Sequence, residues 1–184
     1  MSELVFFLEE PSAEAMLQGL LPRILPATVT PRFIVFEGKQ DLEKQLVRKL
    51  RNYRVPGARF IIMRDKDAGD CYQVKKVIVQ KCIEAGRPDT IVRIACHELE
   101  SWYLGDLAAV ELGLGKPRLL HFQDNPMFLH PDDYPSPSQT LIKLVPEYQK
   151  VGGSRAIGPH LDINNTRSTS FKVFVNGIRK ACNL

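Results

Sequence analysis

Apolar residues in roughly the first hundred positions follow two alternating patterns. Four short runs rich in β-branched and aromatic residues are typical of buried strands, and they cover residues 3–8, 32–38, 58–63 and 90–95. Between these runs, apolar residues recur every three or four positions, as they do on one face of a helix. Because strands that alternate with helices indicate βαβ units, the pattern predicts an α/β fold with a mainly parallel four-stranded sheet.

The pattern changes at about residue 106. Residues 121–139 are rich in Pro and Asp and predict loops with short turns, and residues 151–171 are polar, basic and contain glycine. No internal repeat separates the two parts. We therefore expect residues 1–105 to form an α/β core and residues 106–184 to form a C-terminal elaboration that packs on it, within a single domain.

Composition narrows the class of protein only a little. The chain has 184 residues and a formal net charge of +4, which is compatible with nucleic-acid binding without requiring it. The N-terminus lacks the basic segment of a signal peptide, no apolar stretch approaches the roughly 20 residues that span a bilayer, and the four cysteines show no zinc-site spacing. We expect a cytoplasmic protein with free thiols and no membrane association.

Acidic residues follow three of the four predicted strands. They are Glu9 and Glu10 after the first strand, Asp65 and Asp67 after the third, and Glu98 and Glu100 after the fourth. Because the carboxyl ends of parallel strands meet at one edge of the sheet, these side chains are expected to lie near one another. Carboxylate oxygens suit Mg²⁺ or Mn²⁺, and one or two such ions can promote phosphodiester cleavage.

Other interpretations of the stretch "RDKDAGDC" compete with a metal site. An EF-hand loop that began at Asp65 would need an oxygen ligand at its fifth position and glycine at its sixth. Gly69 and Asp70 stand at these positions in the reverse order, so an EF-hand is excluded. A phosphatase with an aspartate nucleophile fits poorly, because its Asp-x-Asp normally ends the first strand rather than the third. A solvated acidic turn remains open, and Asp70 in particular is a candidate N-cap for the next helix.

The chain resembles a Toprim-like family. The stretches that carry the resemblance are "LEEPSAEAML", "FEGKQDLEKQL", "RDKDAGDC", "RIACHELESWYLGDLAAVE" and "GSRAIGPHL". They are similar to the family called domain of unknown function 4276 (DUF4276), which is related to the overcoming-lysogenization-defect nucleases. The resemblance implies a Toprim-like, Rossmann-like fold and a Mg²⁺- or Mn²⁺-dependent nuclease that acts on DNA or RNA.

The resemblance also implies a partner and a set of site residues. Related Toprim proteins work with an AAA- or ABC-type ATPase. This sequence has no phosphate-loop motif, so the ATPase is expected to be a separate protein. A role in phage or plasmid defence follows from the same analogy. The implied catalytic residues are Glu10 or Glu9, Asp65 and Asp67, and the further implied metal ligands are Glu14, Asp70, Glu98 and Glu100.

Two choices within this set follow from side-chain direction. Strand alternation places Glu9 and Glu10 on opposite faces, so one of them is expected to bind a metal directly, and Glu10 is favoured because Glu14 lies one helical turn further on. Glu98 and Glu100 share a face only where the chain is extended. We expect Glu98 to face the site, with Glu100 second.

Basic residues supply candidate contacts to backbone phosphates, although a solvated surface explains them nearly as well. They are Lys39, Lys150, Arg155, His160, Arg167 and Lys172. The alternative function is a non-catalytic Toprim-like module that binds an ATPase partner or nucleic acid.

Overall fold

All four apolar runs form strands in a computed structural model, which describes residues 2–165 and 167–184. The strands are β1 (Ser2–Leu8), β2 (Val29–Val35), β3 (Arg59–Asp65) and β4 (Ile91–Ala95). They are hydrogen-bonded in the order β2-β1-β3-β4, and every neighbouring pair is parallel. The predicted four-stranded parallel sheet is confirmed.

The second strand begins and ends about three residues earlier than its apolar run predicts. It includes Pro31, which cannot donate a ladder hydrogen bond, and it tolerates this residue because it lies at the edge of the sheet. Phe36 is buried beyond the end of the strand, in the short connection to the next helix. A buried apolar residue therefore extended the sequence pattern past the strand itself.

Helices connect the strands and continue after the last one. Among the described residues they are α1 (Pro11–Leu20), α2 (Lys39–Asn52), α3 (Cys71–Glu84), α4 (Glu100–Leu104), α5 (Leu107–Leu114), α6 (Pro126–Leu129), α7 (Pro137–Leu144), α8 (Lys150–Ile157) and α9 (Thr169–Cys182). Four short 3₁₀ helices lie between them, at Leu21–Arg23, Leu119–Phe122, Pro131–Asp133 and Gly158–His160. In the part of the chain that the structure describes, none of these helices has the length and apolar character that crossing a membrane requires.

The sheet is covered on both faces because its strands alternate between two apolar clusters. Val5 and Phe7 of β1 pack with α2 and α3, whereas Leu4, Phe6 and Leu8 pack with α1 and with the helices that follow β4. The second cluster is much the larger of the two. The region after residue 106 therefore supplies most of one helical layer, and its buried side chains belong to the same core as those of the strands.

One helix of that layer lies where the sequence indicated a polar surface. Residues 150–157 form α8, with Gly153, Ser154 and Ile157 buried. A Cβ atom at Gly153 would lie 2.3 Å from Cε2 of Tyr148, so that only glycine allows the tyrosine ring this close to the helix. Because glycine lowers helix propensity, the polar, glycine-containing pattern did not indicate the helix that tertiary packing forms here.

Candidate functional site

Carboxylates from three strand ends meet at the carboxyl edge of the sheet. Asp65 is the last residue of β3 and pairs in register with Ala95, the last residue of β4, while Leu8 at the end of β1 pairs with Met63. Glu9 and Glu10 then follow β1 directly. The register therefore brings the acidic residues of β1 and β3 side by side, as the sequence predicted.

Asp65 is the most perturbed of these groups. Its side chain is buried, and no described residue donates a hydrogen bond to its carboxylate. The pKa of Asp65 lies well above its usual value, because burial disfavours the charged form and because nearby carboxylates repel it. Those carboxylates are Glu10, Glu9 and Glu100. This aspartate is the centre of the acidic cluster.

Glu9 and Glu10 are separated by strand alternation, as expected. Oε2 of Glu9 accepts a hydrogen bond from the Asp65 amide at 3.2 Å and lies 3.7 Å from Nε of Arg64, which points to the α2 and α3 face. Oε1 of Glu10 accepts a hydrogen bond from the Ser12 hydroxyl at 2.6 Å on the α1 side. Glu9 is therefore paired with Arg64. Among the neighbouring carboxylates, Glu10 raises the pKa of Asp65 the most.

Glu100 completes the cluster from the first residue of α4. The residue is fully buried, and its Oε1 atom accepts a hydrogen bond from the Tyr148 hydroxyl at 3.0 Å. Its other oxygen, Oε2, has no hydrogen-bond partner among the described residues. Burial raises the pKa of Glu100, although the charge of Lys150 opposes this shift. A buried carboxylate oxygen without a hydrogen-bond partner is costly, which makes this oxygen a candidate ligand for a cation.

The expected order of Glu98 and Glu100 is wrong. Oε2 of Glu98 accepts a hydrogen bond from the backbone amide of Ser138 at 3.0 Å, whereas Glu100 acts on Asp65. The reason lies in the backbone: His97 has a φ of 62°, and the chain then enters α4 instead of continuing as a strand. Alternation along an extended segment therefore does not apply here.

Lys150 enters the acidic cluster from the first residue of α8. Its Nζ atom lies 3.5 Å from Oε1 of Glu10. Burial by itself lowers the pKa of this ammonium, but the surrounding carboxylates outweigh burial, and the pKa is raised. They are Glu100, Glu10, Asp65 and Glu98. The sequence predicted Lys150 as a contact to nucleic acid, and nothing in the local pattern indicated that α8 would bring it beside Glu10.

Asp67 lies at the solvent side of the cluster. It adopts the left-handed conformation with a φ of 54°, and its amide donates a hydrogen bond to the His97 carbonyl at 2.8 Å. Its Oδ2 atom forms a 2.8 Å ion pair with Nζ of Lys39. The hydrogen bond and charge of Asp67 raise the pKa of Lys39. Asp67 and Lys39 thus form a charged pair beside the buried group.

Two further residues that the resemblance implied as ligands have local partners. Glu14 accepts a hydrogen bond from Gln18 on the same helix at 3.3 Å. Asp70 is the N-cap of α3 and accepts a hydrogen bond from the Gln73 amide at 2.9 Å, as its alternative interpretation predicted. Among the described residues, no hydrogen bond or ion pair joins either of them to Asp65.

The remaining basic candidates lie on the surface. Arg155, His160, Arg167 and Lys172 are all exposed. Arg167 forms an ion pair with Asp124, with 3.4 Å between the nearest atoms. Of the six predicted phosphate contacts, only Lys39 and Lys150 form ion pairs with the carboxylates at the sheet edge, Asp67 and Glu10, in the described part of the chain. A role for the other four in binding nucleic acid stays a prediction.

The donor chemistry of the cluster suits a hard divalent cation, although its side chains do not enclose one. Within residues 2–165 and 167–184, no three His, Cys, Asp or Glu side chains are placed close enough together to hold a metal ion. Lys150 and Lys39 provide the positive charge instead. The unpartnered oxygen of Glu100 and the carboxylate of Asp65 nevertheless fit the oxygen ligands that Mg²⁺ and Mn²⁺ prefer.

The raised pKa values predict a pH dependence of stability in metal-free buffer. A carboxyl whose pKa is higher in the folded than in the unfolded state stabilises the fold below its unfolded-state pKa, and this contribution is lost as the pH rises through the folded-state pKa. Asp65, Glu9 and Glu100 all have raised pKa values. With a chelator present, we expect the free energy of unfolding to fall as the pH rises above about 4, the usual pKa of a carboxyl in an unfolded chain.

Asp65→Asn isolates the largest contribution to this dependence. The variant should melt several degrees above wild type at pH 8 in chelator, because a gain of about 1 kcal/mol raises the melting temperature by roughly 2–4 °C in a chain of this size. The difference should shrink towards pH 5. Parallel pH profiles for the two proteins would contradict the prediction.

The fold is α/β with a four-stranded parallel sheet, as the sequence indicated, and acidic residues lie at the carboxyl edge of that sheet. A family model described as domain of unknown function (DUF4276) matches residues 8–179, and the chain belongs to this family. Among solved structures, the C-terminal region of the Burkholderia pseudomallei OLD protein is similar, with a TM-score of 0.57 and 13% sequence identity over 97% of this chain and 98% of that one. No curated protein matches the chain significantly.

Proposed function

We propose that this protein is a nuclease module that cleaves phosphodiester bonds in nucleic acid with the help of Mg²⁺ or Mn²⁺. The observation that carries the proposal is Asp65, which is buried at the carboxyl edge of a parallel sheet, where the charges of Glu10, Glu9 and Glu100 act on it. Burying several carboxylates together is unfavourable for a fold, so such a cluster is a candidate functional site. The similar C-terminal region of the OLD protein supports the fold on which this proposal rests.

Asp65 and Glu100 are the residues that would hold the ion, and Glu10 would join them only if its side chain moved closer, because no three side chains of the described residues are placed to hold an ion as they stand. A divalent ion at this position would supply positive charge that stabilises the phosphate as its bond breaks. Asp67 lies at the mouth of the site and remains a candidate ligand, as does Glu9, although Glu9 is already paired with Arg64. The Tyr148 hydroxyl holds one oxygen of Glu100, which leaves the other oxygen free to bind.

Lys150 has a role of its own in this proposal. Its ammonium remains protonated at neutral pH because the surrounding carboxylates raise its pKa. A cation placed beside Glu10 would attract the phosphate of the substrate and offset the repulsion between that phosphate and the acidic side chains. The sequence also predicted Lys150 as a phosphate contact, and the proposal places that contact beside Glu10.

An ATPase partner is the further part of the proposal. The sequence contains no phosphate-loop motif, so ATP hydrolysis would come from another domain or chain. The similar structure is the C-terminal region of a longer protein, which supports a module that works together with other domains. A role in defence against phage or plasmids would follow from such an assembly.

Metal binding is the first test of this proposal. An ion that binds only the folded state at about 100 times its Kd adds about 2.7 kcal/mol to the free energy of unfolding. In a chain of this size that gain corresponds to a rise of roughly 5–10 °C in melting temperature. We expect Mn²⁺ to produce such a rise in wild type and little or none in Asp65→Asn, measured together with calorimetric titration.

Asp89→Asn is the matched control, because Asp89 is exposed at the opposite end of the sheet, just before β4. This variant should respond to Mn²⁺ as wild type does. An equal rise in wild type and Asp65→Asn would show that the ion binds elsewhere.

A non-catalytic module that binds a partner is the second candidate function. The observation that favours it is the neutralisation of the acidic side chains by Lys39 and Lys150, together with the absence of an enclosed metal site among the described residues. The metal titration separates the two candidates. Wild type that neither binds Mn²⁺ nor changes its melting temperature would make the non-catalytic module the better account.

A further inference from the structure

We infer that a phosphate-binding subsite lies beside the acidic cluster, on the α2 and α3 face of the sheet. It is an open cavity of about 340 Å³ between the first turn of α2 and the loop that follows β3. Lys39, Arg64 and Lys66 line it, together with Glu43 and Asp67. The inference deepens the proposed function, because it names the part of the site that would bind a second phosphate of the nucleic acid.

Lys66 is the cation of this cavity that has no acidic partner. Lys39 is paired with Asp67, but no carboxylate of the described residues lies within ion-pair distance of the Lys66 ammonium. The polar atom that it does contact is Nε2 of His97, at 3.5 Å. An ammonium held at the wall of a cavity without a counter-ion attracts an anion.

Arg64 is held rigidly in the wall of the same cavity. Its side chain is only 8% exposed, and it is fixed by Glu43 on one side and by Glu9 on the other. Its Nε atom is buried and has no hydrogen-bond partner among the described residues. A guanidinium that two carboxylates hold in place, and whose Nε donor makes no hydrogen bond among the described residues, suits phosphate, whose oxygens accept several hydrogen bonds at once.

The first turn of α2 adds backbone donors to these side chains. The helix has 14 residues, and its N-cap is Gly38, whose φ of 96° suits glycine and which has no side chain to cap the turn. Lys39 and Gln40, two of the residues that line the cavity, are the first two residues of this helix, whose N-cap provides no side-chain cap. The positive end of a helix with free amides favours an anion.

The position of the cavity relates it to the acidic cluster. Arg64 and Lys66 flank Asp65 in sequence, and alternation along β3 directs Arg64 to the opposite face of the sheet from Asp65. A strand of nucleic acid that crosses the edge of the sheet would therefore place one phosphate near Asp65 and a neighbouring phosphate in the cavity. A terminal 5′-phosphate has the same chemistry.

Inorganic phosphate is the direct probe, titrated in chelator so that no metal is involved. We expect saturable binding to wild type by calorimetry or by chemical-shift changes. Lys66→Met should weaken it about tenfold, which corresponds to the loss of one charge-assisted hydrogen bond. Lys76→Met is the control, because Lys76 is an exposed lysine on α3 and its replacement changes the net charge equally. Both variants should keep the wild-type melting temperature.

A second arm identifies the source of the phosphate. Inorganic phosphate is added to compete with short oligonucleotides, with and without a 5′-phosphate, for binding to wild type. Displacement of both supports a backbone phosphate in the cavity, and displacement of only the phosphorylated one supports a terminal phosphate. The inference is overturned if wild type shows no saturable phosphate binding, or if Lys66→Met and Lys76→Met bind phosphate equally. Because no cleavage is measured, a failure of the proposed nuclease activity leaves these outcomes unaffected.

Discussion

Asp65→Asn is expected to lose more than about 10²-fold of the Mn²⁺-dependent cleavage rate while it still binds nucleic acid. Even residues that only support a metal ligand typically change activity or affinity by 10- to 100-fold, and Asp65 is buried at the centre of the cluster. Its replacement by asparagine keeps the shape of the side chain and removes its charge. The folded structure should therefore survive, and the loss should be in cleavage.

The measurement is the rate of cleavage of single- and double-stranded DNA and RNA, by the chain alone and with a candidate ATPase added. Asp89→Asn should cleave at the wild-type rate, because its carboxylate lies at the far end of the sheet. Asp67→Asn is the informative comparison: the sequence assigns both aspartates to catalysis, whereas Asp65 is buried, as Glu100 is, and Asp67 is partly exposed beside Lys39. Wild-type cleavage by Asp65→Asn would show that this cluster is not the active site.

Residues 1–105 on their own are expected to lack a cooperative unfolding transition. The cut removes α5 to α9, whose buried side chains cover one face of the sheet; they include Leu141, Val145, Phe171, Phe174 and Ile178. Fully burying such a side chain contributes about 2 kcal/mol. Five of them together contribute about as much as the 5–15 kcal/mol that stabilises a typical domain.

Trp102 reports the outcome because it is the single tryptophan of the chain. In the full chain its ring is buried. The centroid of this ring lies 5.2 Å from the ring centroid of Phe171 and 5.0 Å from the ring centroid of Phe174. We expect its fluorescence in the fragment to shift to the red and its near-ultraviolet dichroism to be lost. A sharp thermal transition with full-chain tryptophan emission would instead show that residues 1–105 form an independent domain.

Side-chain alternation explains how well the first half of the site could be predicted. Glu9 and Glu10 follow a strand directly, so their separation onto two faces needs only the period of two. The structure shows that separation, with Glu9 beside Arg64 and the Glu10 charge acting on Asp65. Glu98 and Glu100 follow a turn at His97, so the period of two does not apply to them, and the expectation that Glu98 faces the site was wrong.

The contacts of Lys150 and Tyr148 with the acidic cluster could not be predicted from the local sequence pattern. Both residues lie more than 40 positions from any acidic residue of the cluster, and they reach it because α8 packs against α1 and α5. Gly153 leaves room for the Tyr148 ring beside α8, and the same residue lowers the helix propensity of the segment. The local pattern of this segment was therefore polar and glycine-containing, with no indication of a helix.

The sequence by itself determined the four strands, their helical connections and the gathering of acidic residues at one edge, because these follow from periodicity along the chain and from the parallel arrangement of strands. Only the tertiary structure decided that Glu100 rather than Glu98 faces Asp65, that Lys150 pairs with Glu10, and that Lys66 lines a cavity without an acidic partner. The physical reason is that a strand or helix period sets the direction of a side chain within its own element. Which distant side chains it meets depends on how the helices of the second layer pack, and that packing is decided by shape and burial across the whole chain.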